Sequence, residues 1–166
     1  FQKPHIILNE VLNEAAGFIW RQFIIKEVTI GLKSDDGLYR YEAMVGLRED
    51  NWLAHKSLTY KYEDFFENGT YKGRMISKFT KLLLAEDNPY GPDEQNTYDR
   101  AAMLESKRGS LLDSIEGDYL DIHMLNPNGD IVGWIEISGT RLGKLPDADT
   151  IKAIETMGAI IGAAVS

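Results

Sequence analysis

Near the start of the chain, apolar residues recur in steps of three and four. Leu8, Val11, Leu12, Ala15 and Ile19 make one stripe, which predicts an amphipathic helix. Pro4 suits its first turn, and Gly17 predicts fraying or an early end. The pattern then changes to alternation. Phe23 to Leu32 is rich in β-branched residues, Lys33 to Gly37 reads as a turn, and Leu38 to Leu47 resumes the apolar pattern. Together they predict a hairpin. In its second strand Tyr39, Tyr41, Ala43, Val45 and Leu47 are expected on one face, and Arg40, Glu42 and Met44 on the other.

The middle is less regular. Asp50 to His55 and Tyr60 to Phe66 read as short helical turns, with a loop around Gly69 and Gly73. Arg74 to Leu84 is expected to form one long strand. Asp87 to Pro92 is rich in turn formers, and Pro92 suits the start of a short helix with Asp93 and Glu94 in its first turn. Alternation returns at Tyr119 to Leu125 and Asp130 to Ser138, joined by the tight connection Asn126-Pro127-Asn128-Gly129. In the returning strand Ile131, Gly133, Ile135 and Ile137 are expected to oppose Val132, Trp134 and Glu136. After a loop from Thr140 to Pro146, Asp147 or Asp149 caps a final helix with the stripe Ile151, Ile154, Met157, Ile160, Ile161 and Ala164. Gly158 and Gly162 lie four apart on it and permit close approach of a helix or a sheet.

Helix, hairpin, mixed middle, hairpin, helix is an α+β order. It predicts a central antiparallel sheet of five or six strands with the N- and C-terminal helices packed on one face. The element lengths do not suit a βαβ nucleotide fold.

The order of elements, the closing hairpin from Gly117 to Ser138 with Gly133 ahead of the apolar run, and the last helix from Asp147 to Val165 together resemble a GAF domain. That family is the small-molecule sensor module of signalling proteins. The resemblance implies a ligand pocket beneath loops and short helices on the sheet face opposite the terminal helices. It also implies an attached output domain, such as that of a histidine kinase, which reads the pocket through those helices, and a homodimer formed through them. Two chemistries of the family, bilin attachment and thiol-based sulfoxide reduction, depend on cysteine, and the chain has none. No cofactor is specified by these residues.

Composition narrows the function classes. The 166 residues carry 26 acidic and 18 basic side chains, a formal net charge of −8. That balance argues against a broad surface for nucleic acid or an anionic membrane. No apolar run approaches the roughly 20 residues needed to span a bilayer, and no secretory signal is present, so a cytoplasmic setting is expected. Residues 1–166 are expected to form a single domain cut from a longer chain.

No sequence motif marks a catalytic centre. His5, His55 and His123 show no zinc-ligand spacing, although one histidine suffices for haem. Glu86-Asp87-Asn88, Asp93-Glu94 and Asp99 lack the spacing of a calcium loop. No serine lies in a nucleophile-elbow sequence. Arg74, Arg100 and Tyr98 are candidate contacts for an acidic ligand, since arginine grips carboxylates with paired hydrogen bonds. Tyr39, Tyr41, Phe79, Tyr98 and Trp134 are candidates to line a pocket for a flat ligand, with His55 and His123 beside them. The expected function is a sensory or regulatory domain without catalysis of its own. The alternatives are a structural dimerisation domain and a small acid–base enzyme, the latter requiring a titratable pair with shifted pKa values in a cleft.

Overall fold

The computed structural model describes residues 4–67, 69–88 and 107–165. Helix α1 spans Pro4–Gln22 and runs past Gly17, which leaves room there for the Arg21 guanidinium. Its buried stripe is Leu12, Ala16 and Ile19; Val11, expected in the stripe, is exposed instead. Strands β1 (Val28–Lys33) and β2 (Tyr39–Val45) form the first hairpin. β1 starts later than Phe23 because the chain reverses there. Ile24 adopts φ 50°, a left-handed conformation rare for a β-branched residue, and fully buried Ile25 bridges to Thr140. Helix α2 (Glu49–Lys56) and a 3-10 turn (Tyr62–Phe65) follow, close to where the sequence places them.

The single long strand expected over 74–84 is two short ones. β3 (Arg74–Met75) and β4 (Thr80–Leu83) form a hairpin closed by the Ile76 N–H donating to the Thr80 carbonyl. The turn is fixed by a carboxylate from the last helix. Glu155 accepts hydrogen bonds from Ser77 Oγ, from the Phe79 N–H (3.1 Å) and from Thr80 Oγ1 (2.9 Å). A 3-10 turn (Ala85–Asp87) then leads out of the hairpin. The predicted helix after Pro92, together with Tyr98 and Arg100, lies outside the described residues.

Strands β5 (Tyr119–Leu125) and β6 (Ile131–Ile137) form the closing hairpin, and helix α3 (Ala148–Val165) ends the fold. Of the two candidate caps for α3 the chain uses Asp147, whose Oδ1 accepts the Thr150 N–H at 2.8 Å. All neighbours in the six-stranded sheet are antiparallel, in the order β2-β1-β6-β5-β4-β3.

The fold is therefore α+β, with α1 and α3 on one face of the sheet. Between them and the sheet lies an aliphatic core of Leu12, Ile19, Ile30, Ile122, Met124, Ile135, Ile137, Ile154 and Ile161. On α3, Ile160 and Ala164 fall off the buried stripe. The two glycines are used against the sheet. A Cβ at Gly162 would lie 2.3 Å from the Leu125 carbonyl oxygen, and Gly158 sits over Ile122, His123 and Met124.

Two β-bulges decide what faces the opposite side. Ile30 pairs with Ala43 but Gly31 pairs with Tyr41, so Glu42 is the extra residue. Tyr39 and Tyr41 therefore leave the helix side, where Ala43 and Val45 remain, and join a second cluster with Phe65, Ile131 and Trp134. The one-face expectation for β2 fails at that point. The same happens on β6. Leu125 pairs with Ile131 and Met124 with Gly133, leaving Val132 as the extra residue, so Ile131 and Val132 exchange faces.

Candidate ligand-binding site

The face of the sheet away from α1 and α3 carries a row of polar residues in register. Lys81 on β4 pairs with Asp121 on β5, Asp121 with Glu136 on β6, and Glu136 with Thr29 on β1. A second row places His123 opposite Trp134, Trp134 opposite Gly31 and Gly31 opposite Tyr41. Gly31 is required there. The Trp134 indole lies across it so closely that a Cβ would fall 2.2 Å from Cζ3.

Short segments cover these rows. Tyr60 exchanges backbone hydrogen bonds with Tyr39 (2.9 Å each way), extending the edge of the sheet. Helix α2 brings in buried His55, whose Nδ1 donates to the Asn51 carbonyl at 2.7 Å. Lys81, wholly buried, gives all three N–H groups to the backbone of the covering turn. Nζ lies 3.1 Å from the Asp64 oxygen and 2.6 Å from those of Phe66 and Tyr71. Burial lowers the pKa of Lys81, and the nearby acidic groups, Asp121 foremost, oppose that. Further along, Arg108 clamps the segment before β5 with hydrogen bonds to Glu86 and to buried Asp118.

Between the sheet and its cover lies a cavity of about 70 Å³. Its walls are aromatic: Tyr41, Tyr60, Phe65, Tyr71, Tyr119 and Trp134. Tyr41 meets Trp134 edge-on with ring centres 5.0 Å apart, His55 at 4.9 Å and Tyr60 at 5.7 Å. The floor is the pair Asp121 and Glu136, with His55 and Asp64 at the sides.

Tyr41 Oη donates to Glu136 (3.0 Å to Oε1) and lies 3.3 Å from Tyr60 Oη. Burial raises both carboxyl pKa values, more so for Glu136, where the Asp121 charge adds to the effect. Lys81 and the hydrogen bond to Glu136 oppose the rise at Asp121. Two facing carboxylates in a desolvated site titrate as a unit and hold a proton between them. Burial, and next the Glu136 charge, raise the Tyr41 phenol, so it stays a donor. Burial, reinforced by Lys81, lowers His123 to about 4, which keeps that ring neutral.

The residues singled out in the sequence divide accordingly. Tyr41, His55 and Trp134 line the cavity. Tyr39 is buried behind it, with its hydroxyl on the Ile131 carbonyl at 2.7 Å, and His123 packs edge-on to Phe65 at 5.7 Å. Arg74 is exposed on β3, and Phe79 sits in the β3–β4 turn; neither reaches the cavity. Glu86, which stands in the acidic run with Asp87, is half-exposed and pairs with Arg108. Sequence reasoning passed over Asp121, Glu136, Lys81 and Thr29. Their signal was a charged or polar residue at an inward position of an otherwise apolar strand. Among the described residues no cluster of His, Asp and Glu is arranged to hold a metal ion, and no helix is long and apolar enough to cross a membrane.

No family model and no curated protein sequence matches the chain. Solved structures do. A GAF domain/HD domain protein from Geobacter sulfurreducens superposes with a TM-score of 0.66 at 10% identity, over 95% of this chain and 91% of that one. A domain of a protein described as a two-component sensor histidine kinase from Sinorhizobium meliloti 1021 gives 0.63 at 13%, over 99% and 92%. The type II free methionine-R-sulfoxide reductase from Thermoplasma acidophilum gives 0.59 at 11%, over 99% and 95%. The fold is GAF-like, and the cavity lies on the sheet face away from the terminal helices.

Proposed function

We propose that this domain is a sensor. It binds a small molecule in the cavity above β5 and β6 and passes the bound state through α1 and α3 to an attached output domain. The observation that supports this reading most is the cavity itself: aromatic walls converge on a buried carboxylate pair, in the manner of a small-ligand site. Ligand binding would favour one arrangement of the cover, and the helices on the far side of the same strands would respond to it. Signalling proteins of similar fold, such as the protein described as a sensor histidine kinase, favour the same reading. Ile7, Val11, Phe18 and Ile160 leave apolar surface exposed on the two helices, which suits contact with a second copy.

The test is native mass spectrometry of freshly purified protein, followed by a thermal-shift screen of small metabolites. A bound mass or a stabilising compound, lost in Trp134→Leu, is expected. If no compound stabilises the protein at millimolar concentration and no mass co-purifies, the sensor reading fails in favour of a structural domain.

A second reading has one specific observation behind it. A carboxyl pair with raised pKa values in a cavity is what general acid–base catalysis requires. Consumption of the bound compound, abolished in Glu136→Gln while binding persists, would decide for an enzyme.

A further inference from the structure

Asp121 has fewer partners than its position demands. It is 8% exposed, and its Oδ1 has no hydrogen-bond partner among the described residues. The neighbouring donors are committed elsewhere. Lys81 spends its three N–H groups on backbone carbonyls, so it offers Asp121 charge but no hydrogen bond. Thr29 and Tyr41 donate to Glu136 instead. A proton on Glu136 is what joins the two acids when the cavity holds no ligand. Whatever enters must leave that proton in place or supply donors of its own.

Resting on the sensor reading above, we propose that the cavity takes a small organic cation, a primary ammonium group. It donates to Asp121 and Glu136 and is enclosed by Tyr41, Tyr60, Tyr71 and Trp134. An ammonium group brings three donors to a floor of acceptors, and aromatic rings attract cations. An anion would face two carboxylates, and an apolar ligand would leave Asp121 Oδ1 without a donor. The volume of about 70 Å³ suits a small head group.

Binding ionises both acids, so the shared proton leaves to solvent as the cation enters. The charged and titratable groups around the pair are Lys81 from β4, Tyr41 from β2, His55 from α2 and Asp64 from the covering turn. Tyr41 stays protonated and Lys81 stays bound to carbonyls, and Glu136→Gln, which removes the shared proton while leaving His55 and Asp64 in place, assigns the release to the acid pair.

The experiment is isothermal titration of the whole domain with methylammonium and n-propylammonium chloride, against 1-propanol and sodium propionate at equal concentration. It is run from about pH 6 to about pH 8, in two buffers of different protonation enthalpy. Affinity for the ammonium probes is expected to rise by up to about tenfold per pH unit, with one proton released. Glu136→Gln is expected to bind at least about tenfold more weakly, with no pH slope. Asp121→Asn is the second variant should the first not fold, and the pH slope of the unaltered protein needs neither. Propanol or propionate binding in place of the ammonium probes overturns the cation assignment while leaving a ligand-binding cavity. Ammonium binding without proton release, or unchanged in both variants, places the site elsewhere and overturns it too. Silence of all four probes, with a different compound found by the metabolite screen, overturns the cation class alone; silence in both experiments removes the sensor reading as well.

Discussion

Gly31→Ala adds one methyl group where the structure has no space for it. The new Cβ would lie 2.2 Å from Trp134 Cζ3, 2.3 Å from Cη2 and 2.7 Å from the Arg40 carbonyl oxygen. Ordinary carbon contacts are about 3.5–4.0 Å, so the indole must retreat by more than an ångström. It has nowhere to go. Trp134 is 1% exposed, and Phe65 and Tyr41 stand with ring centres 5.2 and 5.0 Å away. Overpacking of this kind costs about 3 kcal/mol, or about 6–12 °C in Tm for a domain of this size. Chemical denaturation measures the loss, and tryptophan fluorescence reports the displaced ring. Pairing the change with Trp134→Leu separates the causes. If the indole is the obstacle, the double variant loses less than the sum of the single ones by about 1–2 kcal/mol. The residual loss then belongs to the Arg40 carbonyl. A Gly31→Ala protein within about 0.5 kcal/mol of the parent, or strict additivity with Trp134→Leu, would refute the packing argument.

Three other outcomes follow from the same geometry. The folded state holds its carboxyl protons more tightly than the unfolded chain, so stability should fall as pH rises from about 4 towards the value of about 8 to which Glu136 is pushed. Denaturation across that window should show the slope, and Glu136→Gln should flatten it. Gly158→Ala, whose Cβ would lie 3.4 Å from its nearest neighbour, should stabilise α3 by about 0.5–1 kcal/mol. Gly162→Ala, whose Cβ would lie 2.3 Å from the Leu125 oxygen, should lower Tm, and thermal melts of the pair give opposite signs. Lys81→Met removes three charge-assisted hydrogen bonds and should cost about 3 kcal/mol, with faster amide exchange across residues 61–71.

The outer parts of the fold were legible because each has a strong period. The stripes of α1 and α3, the alternation of β5 and β6, and turn glycines such as Gly37 and Gly129 at positive φ all carry local signals. The site was not legible, because its register depends on bulges. Counting outward from the Leu125–Ile131 pair, a regular hairpin sets Asp121 opposite Ile135. Val132 as an extra residue moves the partner by one, to Glu136, and so creates the acid pair. Glu42 does the same for Tyr41, which by plain alternation belongs with Ala43 on the helix side. The 74–84 segment failed for another reason. Its break is imposed by Glu155, which is 75 residues away from Thr80 and leaves no trace in local pattern.

The seating of α3 on β5 has a mechanical consequence. Side chains of long residues act as cushions, since a rotamer change absorbs a small displacement of the backbone beneath. At Gly162 the helix has no such cushion and rests on the main chain of Leu125, whereas at Gly158 the side chains of Met124 and Ile122 lie between helix and strand. The strand under it is the one that carries Asp121 and His123 on its other side. A shift of a few tenths of an ångström in that strand, too small to open the cavity, is therefore delivered to the last helix almost undiminished, as a stiff contact delivers a push that a padded one would swallow.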